Sequence, residues 1–502
     1  MALLIVITLV ITVISGIIHL IISRIEYYKL RSRIGLKGPE THWFFGNLMQ
    51  MVERTRLKGY NNSNVWHQEL HKQYGETFAV YLGKQLNIVV SNQEDIKEIF
   101  IRNFANFSDR VVPPILDRTN LAQSLLQLTY SAGWKSTRNS VSPIFSSGKL
   151  KLMHASMLQK IDTFLEILEE KSEIREKWDI YEDFQALTMD VIGKCAFAID
   201  SDCQRNRSEL FYVQARKFVK SVDIRANPIL KLSFVFPEFS WFWQSLYRFT
   251  TTAVAEKPLV EGLSDVYERR KAGEGAGSVD LLALLMAKEE GRSMTKQEVI
   301  QNCFAFLVAG YETTSTALTF CAYLLAKHSE VQKRLYEEIL ETKLEKGGLN
   351  YESIHGMKYL DAVYKETLRI YPPVIHFITR VCLEDIVIRG QLFPKDCMVT
   401  VLSHTVQRND SIWSNESEFL PERFLDWDDK NSLSWIPFGV GPRYCVGMRF
   451  AEMEFKTTIA KLVERFEMSM EDGENDVICD CNGVVMRPKD PVRLKLVKRQ
   501  RN

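Results

Sequence analysis

Most of the chain shows the spacing of apolar residues that is typical of α-helices, and strand-like alternation is confined to one early region. Apolar residues recur every three or four positions, which places them on one face of a helix. The predicted helices cover residues 149–171, 183–199, 208–222, 241–270, 295–327, 329–345 and 358–370. A short β region is predicted at Thr77–Val90, with Gly83-Lys84 as its turn. The pattern therefore predicts a mainly α protein with small β-sheets.

The first apolar stretch is long enough to cross a membrane. Residues 2–22 are almost continuously apolar, and a helix of that length covers about 30 Å of hydrocarbon. A cleavable signal peptide is the alternative, but no basic segment precedes the stretch and no clear small-residue cleavage site follows it. Four basic residues follow it: Arg24, Lys29, Arg31 and Arg33. The positive-inside rule then predicts a single-pass protein whose body is cytosolic.

These boundaries predict three parts of the chain. We expect a membrane anchor at 1–23, a hinge at 24–47 and a single domain at 48–502. The stretch Lys271–Ser278 is rich in glycine and is predicted to be a loop between two helices.

Composition narrows the class of partner and the compartment. The 502 residues include 64 Lys and Arg and 63 Asp and Glu, a net charge of +1, so nothing indicates a nucleic-acid partner. Nine cysteines are scattered along the chain, and their odd number argues against a disulfide framework and for a reducing compartment. Cys479-Asp-Cys481 could bind a metal, but two cysteines of an edge strand are the simpler interpretation.

One cysteine, Cys445, lies within a glycine-rich loop. The loop F-G-V-G-P-R-Y-C-V-G spans Phe438–Gly447, and Gly439 and Gly441 allow the close approach of a flat ligand. Residues 447–466 predict a helix, so Cys445 lies near a helix N-terminus, where a thiolate is favoured. Such a thiolate is a nucleophile or a metal ligand, and no C-x-x-C spacing suggests zinc. Haem iron fits best, because thiolate ligation favours cleavage of an O–O bond.

A second segment of interest lies inside the predicted helix 295–327. The sequence A-G-Y-E-T-T begins at Ala309, and its glycine costs about 1 kcal/mol relative to alanine in a helix. A close helix contact at Ala309 and Gly310 would explain the small residues without any function. The functional alternative is an oxygen-binding notch, in which Thr313 hydrogen-bonds bound oxygen and Glu312 relays protons. The thiolate segment downstream favours this second interpretation.

Glu366 and Arg369 predict an ion pair on one face of a helix, three positions apart. A surface pair of this kind would be weak, but the apolar neighbours indicate a buried pair. Arg423, in P-E-R-F, is a candidate third member. Such a network would have a structural role, and removing one member would be costly.

Taken in order, these segments resemble the haem-thiolate monooxygenases, the cytochromes P-450. The family signature F-x-x-G-x-R-x-C-x-G is matched in full, at Phe438, Gly441, Arg443, Cys445 and Gly447. The chain is most similar to the microsomal branch that includes the liver drug oxidases and thromboxane synthase. Its segment G-V-G-P-R-Y-C-V-G-M-R-F-A-E is similar to the corresponding segment of nematode members. The resemblance implies the P-450 fold, with a long central helix over haem, and makes 48–502 the haem-binding catalytic domain.

The resemblance also implies a cofactor and the residues that contact it. The cofactor would be haem b, iron protoporphyrin IX, with Cys445 as the iron ligand and Phe438 and Gly447 in the loop around it. The W-x-x-x-R segment would place Trp134 and Arg138 at a haem propionate. Further propionate partners would be Arg110, Arg380 and Arg443. The residues expected to contact a substrate are Phe304, Ala305, Ala309, Val374, Val484 and Val485.

The implied activity is insertion of one oxygen atom of O2 into a lipophilic small molecule: a xenobiotic, a steroid or a fatty acid. Electrons would come from NADPH through a separate flavoprotein, the membrane-bound diflavin reductase, with cytochrome b5 as a second candidate donor. Lys135, Arg449 and Lys456 are candidates for the basic docking face. The implied location is the endoplasmic reticulum membrane, where the aromatic stretch 234–243 would dip into the lipid.

Two other functions are considered. A haem-thiolate isomerase would rearrange a lipid peroxide without external electrons, but Glu312-Thr313 disfavours it, because a peroxide needs no proton-assisted splitting of dioxygen. A haem-based sensor without enzymatic activity is disfavoured because no regulatory or signalling segment accompanies the site.

Overall fold

Helices dominate the fold, as the apolar periodicity predicts. The computed structural model describes residues 1–57, 63–117, 119–174, 176–223, 227–274, 280–287, 294–427, 433–470, 476–482 and 484–500. Its α-helices are α1 (Ala2–Tyr28), α2 (Leu30–Arg33), α3 (Leu48–Leu57), α4 (Ser63–Tyr74), α5 (Gln93–Lys97), α6 (Trp134–Val141), α7 (Ser147–Ile174), α8 (Tyr181–Phe197), α9 (Leu210–Ser221), α10 (Pro228–Val235), α11 (Ser240–Leu246), α12 (Thr251–Lys271), α13 (Leu281–Met286), α14 (Lys296–Lys327), α15 (Ser329–Lys346), α16 (Tyr351–His355), α17 (Lys358–Ile370), α18 (Ser403–Val406) and α19 (Met448–Arg465). Short 3₁₀ turns lie at Pro114–Leu116, Ser142–Phe145, Pro237–Phe239, Tyr247–Phe249 and Pro421–Phe424, and a π-helical turn lies at Glu98–Arg102.

The strands are short and form four small sheets. They are β1 (Thr77–Leu82), β2 (Gln85–Val90), β3 (Trp178–Asp179), β4 (Thr379–Val381), β5 (Ile386–Ile388), β6 (Gln391–Phe393), β7 (Met398–Val401), β8 (Phe466–Ser469), β9 (Cys479–Asn482), β10 (Val485–Pro488) and β11 (Arg493–Lys498). The largest sheet has the order β1-β2-β7-β4, in which β2 and β7 are parallel and the other pairs antiparallel. The smaller sheets are β3-β11-β8, β9-β10 and β5-β6. The predicted hairpin at Thr77–Val90 is confirmed, with Thr77 opposite Val90.

One predicted helix is wrong. Residues 241–270 are not continuous: α11 ends at Leu246, a 3₁₀ turn follows, and α12 begins at Thr251. Thr250 has extended backbone, and its hydroxyl accepts a hydrogen bond from the Ala253 amide at 3.2 Å. This N-cap starts a new helix without disturbing the apolar spacing, which is why periodicity alone missed the break. The predicted loop Lys271–Ser278 begins where α12 ends, and its residues from 275 onward lie outside the described residues.

The N-terminal helix α1 projects from the body of the protein. The segment Leu3–Arg33 is long and apolar enough to cross a membrane by length and composition, and its most apolar window is 0% buried by the protein. The helix continues past the predicted anchor boundary at residue 23 as far as Tyr28. There the Tyr28 hydroxyl donates to the Gly83 carbonyl at 3.1 Å, so the start of the predicted hinge packs on the β1-β2 hairpin. The division into anchor, hinge and catalytic domain stays a prediction.

The long helix α14 runs through the centre of the core and packs against α8, α12 and α19. Its N-terminus has the predicted capping box: the Thr295 amide donates to Glu298 Oε2 at 2.8 Å, and the Glu298 amide donates to the Thr295 hydroxyl at 3.2 Å. Most of its side chains are buried. The helix is thus positioned to carry functional groups into the interior.

A buried ion pair fixes the segment that leads to the Cys445 loop. Arg369 donates to both carboxylate oxygens of Glu366, at 2.7 and 2.9 Å, and both side chains are 0% exposed. Arg423 donates to the same carboxylate at 3.1 Å, so the predicted third member is present. The remaining Arg369 donors bind the carbonyls of Gln407, Glu416 and Glu418. The charges are therefore paired and hydrogen-bonded, as burial requires.

Gln407 carries this network to the loop itself. Its side-chain amide donates to the Leu368 carbonyl at 2.8 Å, and its Oε1 accepts from the Ile436 amide at 2.9 Å. Ile436 lies two residues before Phe438, where the cysteine loop begins. Gln407 could not be predicted from the sequence, because a single glutamine carries no motif.

We predict that Arg369→Ala lowers the free energy of unfolding by about 3–5 kcal/mol, because it leaves the Glu366 carboxylate buried without its main partner. Arg205→Ala is the matched control: Arg205 contacts Glu166 and Glu170 at 3.8 and 3.7 Å on the surface, and its loss should cost only about 0–1 kcal/mol. Urea unfolding followed by tryptophan fluorescence measures both. Equal losses in the two variants would contradict a structural role for the buried pair.

Candidate active site

The loop before α19 is held in one conformation by two glycines and by its own backbone hydrogen bonds. Gly439 and Gly441 have φ values of 78° and 70°, a region that favours glycine. A Cβ on Gly441 would lie 2.0 Å from the carbonyl oxygen of Phe100, so the loop packs directly on that backbone. The Cys445 amide donates to the Phe438 carbonyl at 2.8 Å. The loop therefore presents the Cys445 side chain in a defined direction.

The Cys445 thiol faces a cavity of about 280 Å³ inside the protein. Burial raises the pKa of this thiol, while the Gly447 amide and the charges of Arg138 and Arg110 oppose that rise. Desolvation by the surrounding groups thus outweighs the start of α19 as long as the thiol has no further partner. A thiolate here requires a positive partner such as a metal ion, because a coordinating thiol is deprotonated.

Three of the predicted substrate contacts lie on the cavity wall. Its lining includes Ala305, Ala309, Gly310, Thr313, Val374, Phe377, Phe438 and Cys445. The wall is mostly apolar, which suits a lipophilic ligand.

The other three predicted substrate contacts do not line this cavity. Phe304 is 0% exposed and packs edge-to-face on Phe218, with ring centroids 5.1 Å apart, on another side of α14. Val485 is buried against the backbone of Val374 through a β-bridge, and Val484 is exposed at the turn before it. The structure thus places these three predicted residues outside the cavity lining. They were predicted from their apolar character, which does not show the direction of a side chain.

Arginines line one side of the same cavity. Arg380 and Arg443 are buried and Arg110 is half-buried, and all three lie on its wall. Burial and the neighbouring cations lower the pKa of Arg110 to about 9 and that of Arg380 well below its usual value. Burial also lowers the pKa of Arg443 to about 10, although Asp109 opposes the shift. Concentrated positive charge of this kind needs an anionic partner.

Unsatisfied donors point to that partner. Nε of Arg110, Nε of Arg380, and both Nε and Nη1 of Arg443 are buried without a hydrogen-bond acceptor. Within the described residues, their single salt bridge joins Arg443 to Asp109 at 3.6 Å. With Arg138, which also lies on the cavity wall, the arginines outnumber this carboxylate by three, and haem brings two carboxylates as further acceptors. The residues present therefore fit the cofactor that the sequence predicts.

Trp134 and Arg138, both on α6, complete this side of the site. The Arg443 guanidinium lies over the Trp134 ring at 4.3 Å, and the Arg138 guanidinium lies over the Tyr444 ring at 4.7 Å. The predicted group is thus assembled from α6, the 109–110 segment, β4 and the cysteine loop. Asp109 was missed, although its place beside Arg110 in the sequence was an available signal.

Glu312 and Thr313 point to different cavities. Thr313 lines the Cys445 cavity, and its hydroxyl donates to the Ala309 carbonyl at 2.7 Å. The Glu312 carboxylate instead accepts hydrogen bonds from the Tyr181 hydroxyl at 2.6 Å and from Gln185 Nε2 at 3.0 Å. Burial raises the pKa of Glu312, and these two hydrogen bonds oppose the rise. Consecutive residues of a helix are about 100° apart around its axis, so they face different sides.

The Glu312 side of α14 borders a second cavity of about 180 Å³. Its lining is polar and charged, and includes Tyr181, Gln185, Arg216, Lys220, Glu312, Arg487 and Lys489. The same turn of α14 therefore borders the apolar cavity containing Cys445 on one side and the polar cavity on another side. The partners of Glu312 on α8 could not be identified from the sequence, because no spacing links them to α14.

The fold and this site are those expected of a haem-thiolate protein: Cys445, one face of the long helix α14 and a group of arginines with unsatisfied donors line the same cavity. The chain belongs to the cytochrome P450 family, whose family model matches residues 36–496. It is 30% identical to cytochrome P450 3A27 of Oncorhynchus mykiss over 493 residues, covering 94% of this chain and 91% of that protein. Cytochrome P450 3A30 of Fundulus heteroclitus is also 30% identical, with 94% of each chain covered. Cytochrome P450 3A6 of Oryctolagus cuniculus is 30% identical, with 94% of this chain and 93% of that protein covered.

Membership of this family makes the protein an oxidoreductase, a haem-thiolate monooxygenase that acts on lipophilic substrates. The predicted family, fold class and enzyme class are confirmed. The predicted likeness to nematode members stays a prediction.

We predict that Gly441→Ala reduces the haem content of the purified protein several-fold, because its Cβ would overlap the Phe100 carbonyl. Gly439→Ala is the matched control: it has a similar φ, but its Cβ would lie 3.9 Å from the nearest atom. It carries the backbone strain, about 1–2 kcal/mol, without the overlap. The ratio of haem to protein absorbance measures both variants, and equal haem loss would show that strain alone matters.

Proposed function

We propose that this protein is a single-pass protein of the endoplasmic reticulum membrane that hydroxylates a xenobiotic, steroid or fatty acid. Electrons come from NADPH through a separate diflavin reductase, with cytochrome b5 as a second donor. One observation carries the proposal: Thr313 and Cys445 line the same apolar cavity. A hydroxyl within the cavity suits the activation of dioxygen and distinguishes this function from peroxide isomerisation.

The protein residues prepare the site for its cofactor. Cys445 would hold the iron, and Arg110, Arg138, Arg380 and Arg443 would hold the haem carboxylates. When bound, haem supplies the activation of dioxygen and the transfer of one oxygen atom to a C–H bond. The apolar wall excludes water and orients the substrate by shape.

Glu312 and Thr313 have complementary parts in proton delivery. Glu312 collects a proton from the polar second cavity through Tyr181, since that hydroxyl is 2.6 Å from its carboxylate. The proton then passes from Glu312 towards the cavity on the other side of α14, which Thr313 lines. The raised pKa of Glu312 favours the protonated form that this transfer needs.

The docking face for the electron donor includes Lys135 and Arg449. Both are exposed, near the loop that carries Cys445. The prediction that Lys456 belongs to this face is wrong, because Lys456 is 2% exposed and its ammonium contacts Asp361 and Glu452 at 2.7 and 2.6 Å.

The membrane-facing side includes α1 and exposed aromatic residues near it. Trp241 and Phe249 are 69% and 70% exposed, and Trp43 is 49% exposed. Arg24 of α1 contacts Glu238 at 3.3 Å, which places this aromatic group beside the anchor. Such exposed apolar surface favours contact with lipid and a route for lipophilic substrates from the bilayer.

The function is tested by turnover in vesicles that contain the holoenzyme, the reductase and NADPH. We expect a panel of steroids, fatty acids and drug-like compounds to give oxygenated products that need all three components. The reduced carbon monoxide complex should absorb at the position of thiolate-ligated haem, and Cys445→Ser should abolish that band. Reductase-independent rearrangement of lipid peroxides would support an isomerase, and binding without turnover a sensor.

We predict that Thr313→Ala lowers the share of electrons that reach product by about tenfold and raises peroxide release, because it removes the hydroxyl that delivers the proton. Thr313→Ser should restore coupling. Thr319→Ala is the helix control, since its hydroxyl donates to the Ser315 carbonyl at 2.7 Å in the same way but lies outside the cavity lining. NADPH consumption, product and hydrogen peroxide are measured together. Intact coupling in Thr313→Ala would remove Thr313 from the proton route.

A further inference from the structure

Two cysteines that have no part in the proposed reaction face each other at the edge of the largest sheet. Cys382 follows β4 and Cys397 precedes β7, and these antiparallel strands place Val381 opposite Met398. The next position of the ladder pairs Cys382 with Cys397. The Cys382 amide donates to the Cys397 carbonyl at 2.9 Å, and the Asp396 amide donates to the Cys382 carbonyl at 2.8 Å.

A β-bulge sets the geometry of this pair. Asp396 has a φ of 63°, and both Asp396 and Cys397 oppose Cys382, which is the pattern of a bulge that begins with a left-handed residue. Directly opposed side chains on one face have Cβ atoms about 4.5–5.5 Å apart. A disulfide needs about 3.5–4.5 Å, so a small local movement is sufficient to join the two sulfurs.

Both cysteines are buried among polar backbone and side-chain groups at this edge of the sheet. The two side chains are 0% and 1% exposed, and the Cys382 thiol donates to the Glu384 carbonyl at 3.0 Å and to the Phe393 carbonyl at 3.5 Å. Asn106 Nδ2 also donates to Cys382 Sγ at 3.6 Å. The hydrogen bond from Cys397, followed by smaller contributions that include Asn106, lowers the pKa of Cys382, and the same contact raises that of Cys397. Cys382 is therefore the sulfur that ionises first and acts as the nucleophile.

We propose that Cys382 and Cys397 form a reversible dithiol–disulfide site that hydrogen peroxide oxidises. The Cys382 thiolate attacks one peroxide oxygen, the O–O bond breaks, and the departing oxygen leaves as water after taking a proton. Cys397 sulfur then attacks the resulting sulfenic acid: the S–S bond forms, the S–O bond breaks, and hydroxide takes the Cys397 proton and leaves as water. Two thiols lose two electrons and two protons in all, and one peroxide becomes two waters. A thiol such as glutathione reverses the reaction.

The position of the pair gives the oxidation a structural consequence. Cys382 lies two residues after Arg380, whose strand also bonds to the Asp109 backbone through the Val381 amide at 2.8 Å. Both Arg380 and the neighbouring Arg110 line the Cys445 cavity. A disulfide would cross-link β4 to β7 and restrain the chain that holds these arginines. The oxidised holoenzyme should then keep its haem to a higher temperature.

The experiment uses the full-length holoenzyme in detergent micelles, with no reductase present. Hydrogen peroxide is added in steps, free thiols are alkylated, and the protein is digested with trypsin. Cleavage after Arg380, Arg389, Lys395 and Arg408 places each cysteine in its own peptide, 381–389 and 396–408. We expect a linked peptide, lighter than the sum of the two by two hydrogen atoms, that disappears on reduction with glutathione.

Two variants test whether the oxidation is specific to the Cys382–Cys397 pair. Cys397→Ala should lose the linked peptide and the oxidant-dependent rise in the temperature of haem release. Cys203→Ala removes another fully buried cysteine and should keep both. Recovery of both peptides in alkylated form at peroxide doses that bleach haem would overturn the proposal, as would sulfinic acid at Cys382 without a linked peptide. The peptide measurement does not depend on turnover, so it can fail while the proposed monooxygenase activity stands.

Discussion

The buried Glu366–Arg369 pair is the constraint on which the site depends. Each charge would be costly to bury alone, and the pair offsets that cost. Arg369 also donates hydrogen bonds to three carbonyls of the 407–418 segment and so holds the surrounding backbone in place. Gln407 extends this network to the Ile436 amide. The cysteine loop is therefore held from behind by hydrogen bonds, while Gly441 holds it from the side by packing on Phe100. The direction of Cys445 follows from these two restraints.

The arginines of the Cys445 cavity are also buried charges that need partners. Arg110, Arg380 and Arg443 would destabilise the fold if they remained buried with unsatisfied donors. In the proposed function, two haem carboxylates would offset this cost, and affinity for haem and stability of the folded protein would then be linked. On another wall of the site, α14 separates two cavities of different polarity. Glu312 belongs to a polar cavity and Thr313 to an apolar one, and a single helical step divides the two environments.

Sequence patterns predicted the elements better than the directions of individual side chains. The limits of α7, α8, α14 and α17 follow the apolar spacing closely, and the Thr295–Glu298 cap is present as expected. The same spacing concealed the break at Thr250, because a capped interruption keeps the helical period. Phe304 and Lys456 were assigned from residue type, and both point elsewhere, into the core and onto a pair of carboxylates.

By itself, the sequence determined the family and the Glu366–Arg369–Arg423 network, and it predicted Cys445 as the iron ligand and Glu312 and Thr313 as residues of proton delivery. Apart from Arg423, which lies 57 positions from Glu366, each of these depends on residue types at short, fixed spacings, which local backbone geometry preserves. Tertiary structure alone decided that Glu312 bonds to Tyr181 and Gln185, that Asp109 shares the arginine group, and that Cys382 meets Cys397. These contacts join residues 15 to 334 positions apart, and no local rule fixes which distant side chains meet. They arise from how the helices and small sheets pack around the Cys445 cavity.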